Sequence, residues 1–264
     1  MGEIISASRR SDIPAFFWPR FLETIERGYV SVPNPITGKP YTLSLKPEDV
    51  DCLVFWTKNP SPSLPSVREI QERGYDFVYH VTVNGYGDKL EGKVPPWWEV
   101  VKSMKKLSKA IGRERVFWRF DPVLPHVDNE ITLERFKEIS RALSGYVSRC
   151  YVAIFHPYRK ALARLRRNGY NLDEEFSPGN LPAMLLEEGR RKSLTMFSCC
   201  SPLLEVKEFQ KGSCVDGEYL SGLFNKAGLL KRNHPTRPGC GCTQSRDIGH
   251  YRSCTHGCLY CYAS

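Results

Sequence analysis

The chain has 264 residues, 41% hydrophobic and 12% aromatic, the composition of a folded protein whose core is large enough to need no cross-links. No stretch approaches the roughly 18 apolar residues of a membrane span, and residues 1–14 lack the apolar run of a signal peptide, so a cytoplasmic protein with no membrane partner is expected. The formal charge is +9, from 38 Lys and Arg against 29 Asp and Glu, which favours anionic partners such as nucleic acid or nucleotides.

In chain order, runs dense in β-branched and aromatic residues predict strands at 4–8, 53–57, 77–83, 116–122, 151–155 and 194–198. They show little in–out alternation, as parallel strands buried on both faces do. Helical patterns fill the intervals at 16–28, 64–74, 97–111, 133–143, 159–169 and 181–191, and Gly28, Gly74, Gly112 and Gly169 stand where helices end. Six βα units predict an α/β fold, a partial parallel, TIM-like barrel over residues 1–205. Residues 206–264 are rich in Gly and Cys and poor in periodic segments. They read as a Cys-rich cap that folds around metal and packs on the barrel.

In such barrels the chemistry sits at the carboxyl ends of the strands, and here those ends are polar. The first strand runs into Ser8, Arg9, Arg10 and Asp12, the second into Thr57 and Lys58, and the third into Asn84. The two arginines are suited to bidentate binding of a carboxylate or phosphate, or to pairing with Asp12 at the surface. Arg119 and Asp121 lie two apart in the fourth strand and so share a face, either as a pore-facing catalytic pair or as a structural ion pair. His156, after the fifth strand, is a candidate proton donor or a hydrogen-bonded structural histidine. The basic stretch 159–167 reads as a solvated helix face or an anion-binding one.

Eight of the ten cysteines lie between Cys199 and Cys261. Cys254, Cys258 and Cys261 have C-x3-C-x2-C spacing, which suits three irons of a [4Fe–4S] cube with the fourth iron open to a small molecule. With His256 the same segment could instead supply a Cys3His zinc site. Cys200 (or Cys199), Cys214, Cys240 and Cys242 make up four further ligands, enough for a second cluster or a structural zinc ion. Cys52 and Cys150 adjoin apolar strands and read as core residues. Asp247 and His250, just before the triplet, are candidates to orient its loop.

At CTHGCLYCYA the chain resembles the radical S-adenosylmethionine (SAM) superfamily, with Tyr260 at the aromatic position of its cluster motif. Over nearly its whole length it is similar to an uncharacterised prokaryotic family, domain of unknown function 1848. The shared segments are SASRRSDIPAF, VFWTKNP, GYG, WRFDPVLP and CGCTQSRDIGHYRSCTHGCLYCYA. The superfamily resemblance implies a partial barrel of six βα units and SAM bound at a cluster held by Cys254, Cys258 and Cys261. It also implies a radical that abstracts hydrogen from a substrate, and a reductant such as ferredoxin or flavodoxin. The sequence departs from that superfamily in two ways. The triplet follows the last strand rather than the first, and Thr57-Lys58-Asn59 stands where Gly-Gly-Glu usually follows the second. WRFDPVLP is similar to a segment of radical SAM DNA-lesion lyases, and with the basic charge it points to a nucleic-acid or nucleotide substrate. The other readings are a non-catalytic, metal-stabilised nucleic-acid binder and a two-cluster electron carrier.

Overall fold

Eight parallel strands form the spine of the chain. The computed structural model describes residues 2–34, 37–170, 172, 177–204 and 209–264. In chain order the strands are β1 (Glu3–Ala7), β2 (Tyr29–Pro33), β3 (Pro40–Ser44), β4 (Val50–Thr57), β5 (Phe77–Thr82), β6 (Val116–Val123), β7 (Arg149–Ile154), β8 (Thr195–Ser198), β9 (Gln210–Lys211) and β10 (Arg246–Asp247). The helices are α1 (Ile13–Phe16), α2 (Trp18–Arg27), α3 (Val67–Glu72), α4 (Asp88–Glu91), α5 (Trp97–Ile111), α6 (Asn129–Leu143), α7 (Arg159–Arg167), α8 (Leu181–Arg191) and α9 (Gly217–Phe224). The main sheet has the order β10-β1-β4-β5-β6-β7-β8-β9, and every pairing in it is parallel.

All six expected strands are present, as β1, β4, β5, β6, β7 and β8, each within three residues of its expected bounds. Helices α5 and α8 match their expected spans, and the span expected at 16–28 is split into α1 and α2. Local chemistry sets these boundaries. The carboxylates of Asp12 and Asp128 accept from the first free N–H groups of α1 and α6, while Gly28 ends α2 at φ 80°.

The sheet is open, with β10 and β9 at its edges, and does not close into a barrel. Three strands escape the sequence reading. The β2–β3 hairpin stands apart as a two-stranded antiparallel sheet, and the edge strands β9 and β10 are only two residues long. The boundary expected between 205 and 206 lies outside the described residues.

Alternate residues of each central strand serve two cores. Phe55, Tyr79, Trp118 and Val152 meet the helices, in a cluster with Phe21 of α2, Leu107 of α5, Phe136 of α6 and Leu185 of α8. Ile4, Val54, Val78, Phe117 and Tyr151 face the other way and are covered by Cys214, Val215, Leu220, Leu229 and Cys242. The Cys-rich segment therefore supplies the second half of the core as well as a cap. Cys52 and Cys150 are fully buried, one in each core, as expected.

Candidate active site

Residues 246–263 run back across the carboxyl ends of the strands. Strand β10 pairs with β1, and Asp247 binds four groups there. It accepts from Ser6 Oγ (2.9 Å), Ser8 Oγ (2.6 Å), the Arg9 N–H (2.8 Å) and the Gly249 N–H (2.9 Å). The expected orienting role of Asp247 therefore falls on the end of β1. His250 is exposed, and its carbonyl accepts from Ser253 Oγ.

The cysteine loop follows, docked on α4. The N–H of Lys93 donates to the carbonyl of His256 (2.7 Å), and that of Leu259 to the carbonyl of Leu90 (2.9 Å). Gly92 makes this approach feasible, since its φ is +50° and an added Cβ would lie 2.7 Å from the His256 carbonyl oxygen. On the other side Arg164 of α7 donates to the carbonyls of Leu259 (3.2 Å), Cys261 and Ser264 (2.9 Å). One cation of the basic stretch thus holds the cysteine loop, while Arg166 and Arg167 are exposed.

Beneath the loop lies one connected polar network. Lys58 Nζ donates to Glu91 Oε1 (2.7 Å) and to the Tyr260 hydroxyl (2.8 Å), and that hydroxyl donates to Glu91 Oε1. Asn84 Nδ2 donates to the same hydroxyl (3.2 Å) and to the Asp121 carbonyl (3.0 Å), while its Oδ1 accepts from the Asp121 N–H (2.9 Å). Asp12 Oδ2 accepts from the Lys58 N–H (2.8 Å) and bonds His256 Nε2 (2.8 Å). Glu91, Asp12, Asn84 and His256 are all buried. Burial alone would raise the Glu91 pKa, but the ammonium of Lys58 and three hydrogen bonds hold it below the ordinary carboxylate value. Burial likewise opposes the charge on Lys58, and Glu91 overcomes it, leaving the Lys58 pKa raised. Thr57 makes a local bond, its hydroxyl accepting from the Asn59 N–H.

All ten cysteines are free thiols. Burial raises Cys254 to about 11 and Cys258 to about 12, with the other thiols of the triplet adding to both shifts and Lys58 opposing them. The Cys261 sulfur accepts from the Ala263 N–H (3.3 Å). Three thiols on one docked loop, with a cation beneath, fit a group that binds three thiolates. His256 turns its Nε2 to Asp12, which disfavours the Cys3His zinc alternative. Among the described residues no three His, Cys, Asp or Glu side chains converge on a single ion.

Arg119 donates from Nη2 to Asp121 and from Nη1 to Cys214 Sγ (3.0 Å), so it links the pair expected from β6 to the second set of cysteines. Arg9 lies over Trp56 with its guanidinium carbon 5.1 Å from the ring centroid, and Arg10 lies over Tyr251 at 5.3 Å. His156 is exposed, edge-on to Tyr158 at 4.6 Å, and takes no part in the network. Cys214, Cys240 and Cys242 come together with Cys199. Cys200 touches the group through Cys199.

The sequence reading missed Glu91, Arg164 and Arg237. Glu91 sits in the unremarkable segment DKLEGK, and its role depends on a tyrosine 169 positions away. Arg237 lies inside HPTRPGCGC, where the flanking cysteines were the available signal.

The family pattern described as a domain of unknown function, DUF1848, matches residues 4–263. The chain belongs to the DUF1848 family. No curated protein and no solved structure matches it. In this DUF1848 chain the matched span takes in both the sheet and the cysteine loop, so the two are parts of one unit.

Proposed function

We propose that this DUF1848 protein is a radical SAM-like enzyme whose [4Fe–4S] cluster is held by Cys254, Cys258 and Cys261. The observation that carries this reading is the return of the cysteine loop to the carboxyl ends of β1, β4 and β5, where Asp12, Lys58, Asn84, Glu91 and Tyr260 form one buried network. A non-catalytic binder has no need of such a network, since buried charges are costly unless they are fully paired. We read the open sheet as a partial barrel whose inner face is filled by residues 214–242. When bound, the cluster supplies one-electron cleavage of SAM and so a radical that abstracts hydrogen.

The protein's own groups then have definable roles. Cys254, Cys258 and Cys261 leave the fourth coordination position free, because His256 is engaged by Asp12. Lys58 holds positive charge beside the thiolates and fixes the Tyr260 hydroxyl. Asn84 and Glu91 hold that hydroxyl from two further sides and line a neighbouring cavity of about 270 Å³, together with Trp97, Trp98 and Arg135. An aromatic, cationic wall of this kind suits a nucleotide or nucleic-acid substrate. A small electron donor, ferredoxin or flavodoxin, is the reductant this chemistry requires.

The test is electron paramagnetic resonance of anaerobically reconstituted, reduced protein with and without SAM, together with iron, sulfide and zinc counts. A [4Fe–4S] signal that changes on adding SAM, and is absent from a Cys254→Ala/Cys258→Ala/Cys261→Ala variant, is expected. Zinc without sulfide at this loop, or a cluster signal that ignores SAM, would sink the proposal.

A further inference from the structure

The inner core contains a second group of thiols outside this network. Cys199 and Cys214 sulfurs are 3.1 Å apart. Cys214 is hydrogen-bonded on to Cys242, and Cys242 to Cys240, whose sulfur also accepts from the Cys242 N–H (3.4 Å) and the Thr236 hydroxyl (3.6 Å). Cys199, Cys214 and Cys242 are buried. The hydrogen bond from Cys242 holds Cys240 down to about 5, against the opposing effect of burial.

Cations surround these sulfurs. Arg119 Nη1 donates to Cys214, Arg237 Nη2 donates to the Cys199 carbonyl (3.1 Å) and lies 3.9 Å from its sulfur, and Arg9 is electrostatically coupled to Cys242 and Cys214. The nearby carboxylates are Asp121, paired with Arg119, and Asp247, which Arg10 also approaches (3.9 Å). Three guanidiniums thus face two carboxylates, and Arg9 Nη2 is buried without a hydrogen-bond partner. Neutral thiols leave that excess positive charge uncompensated, which is costly in a core.

We propose that Cys199, Cys214, Cys240 and Cys242 hold a second, polynuclear iron–sulfur cluster, with Arg9, Arg119 and Arg237 as its counter-charges. Binding releases four thiol protons and forms four iron–sulfur bonds without changing the oxidation state of any cysteine. Four thiolates on a [4Fe–4S]2+ core carry about −2, the sign the arginines require. The sulfurs form a chain and do not converge on one point, which favours several metal atoms over a single zinc ion. Cys199, in direct contact with Cys214, takes the place that spacing alone left open between it and Cys200. This centre is independent of the reading of the 254–261 loop.

The probe is iron with sulfide, added anaerobically to a Cys254→Ser/Cys258→Ser/Cys261→Ser variant. We expect about four irons and four sulfides per chain to remain, against about eight in the unaltered protein. They are lost when Cys214→Ser and Cys242→Ser are added. No iron in the triple variant overturns the second centre and leaves the first untouched. Zinc without sulfide overturns it, and so does a chain lighter by two hydrogens, the mark of a Cys199–Cys214 disulfide. Single substitutions guard against misfolding: Cys200→Ser keeps the second cluster and Cys199→Ser loses it, and the reverse result overturns the assignment. Arg237→Gln keeps the iron count and lowers the cluster's potential, because a nearby positive charge favours the reduced form. An unchanged potential places the cluster elsewhere.

Discussion

At the scale of single residues, the Lys58–Glu91 pair is the most exposed to test. Removing one partner of a buried ion pair leaves the other charge uncompensated, so Glu91→Ala should destabilise metal-free protein by about 3 kcal/mol in urea unfolding. A Lys58→Met/Glu91→Leu double variant should return to within about 1 kcal/mol of the unaltered protein, because both desolvation penalties vanish together. The pH dependence has a defined sign. The Glu91 pKa is depressed in the fold, so its contribution is present above the unfolded value of about 4.3 and is lost as pH falls through the folded value. The Lys58 pKa is raised, so its contribution is present below about 10.4 and is lost as pH rises through the folded value. Glu91→Gln should therefore flatten the loss of stability on the acid side, and parallel acid limbs for variant and parent would contradict the pairing. The pair also marks the limit of what sequence discloses. Lys58 was legible because it follows a strand, but Glu91 was not, since its partner Tyr260 is brought in by tertiary folding.

At the scale of elements, α4 and α7 act as the two jaws that hold the cysteine loop. Gly92→Ala adds a Cβ against the His256 carbonyl at a left-handed φ, so it should push the loop off α4. Arg164→Ala removes charge-assisted bonds to the loop's carbonyls, each worth about 1.5–3 kcal/mol. Both should raise amide hydrogen exchange over 254–263 by roughly tenfold or more, and Arg166→Ala should leave it unchanged. Arg164→Lys should recover only part of the protection, because an ammonium cannot span several carbonyls as a guanidinium does. The long elements were readable because each carries many residues of one period. The two-residue β9 and β10 have too few residues to show any period, and they exist because β8 and β1 offer unpaired edges. The β2–β3 hairpin is half-exposed and lies outside the main sheet, so it lacks the dense apolar run that marked the other strands.

At the scale of the whole molecule, the Cys-rich segment is structural as well as chemical, because it covers one entire face of the sheet. Reading it as a cap understated this, since its apolar residues are spaced irregularly and only the folded sheet gives them a common surface. Unfolding should therefore be a single transition, with far- and near-ultraviolet dichroism changing together in urea. Two separated transitions would show that residues 209–264 form a unit of their own. The pairing of β10 with β1 joins residues about 240 positions apart, and that has a consequence for biogenesis. On the ribosome every central strand is made before residues 246–261 appear, and until then β1 presents an open backbone edge to other chains. Whatever delivers metal to the cysteine loop meets a sheet already assembled. Maturation of the site is thus a late event, separable from folding, and a cell short of iron would accumulate folded but inactive chains.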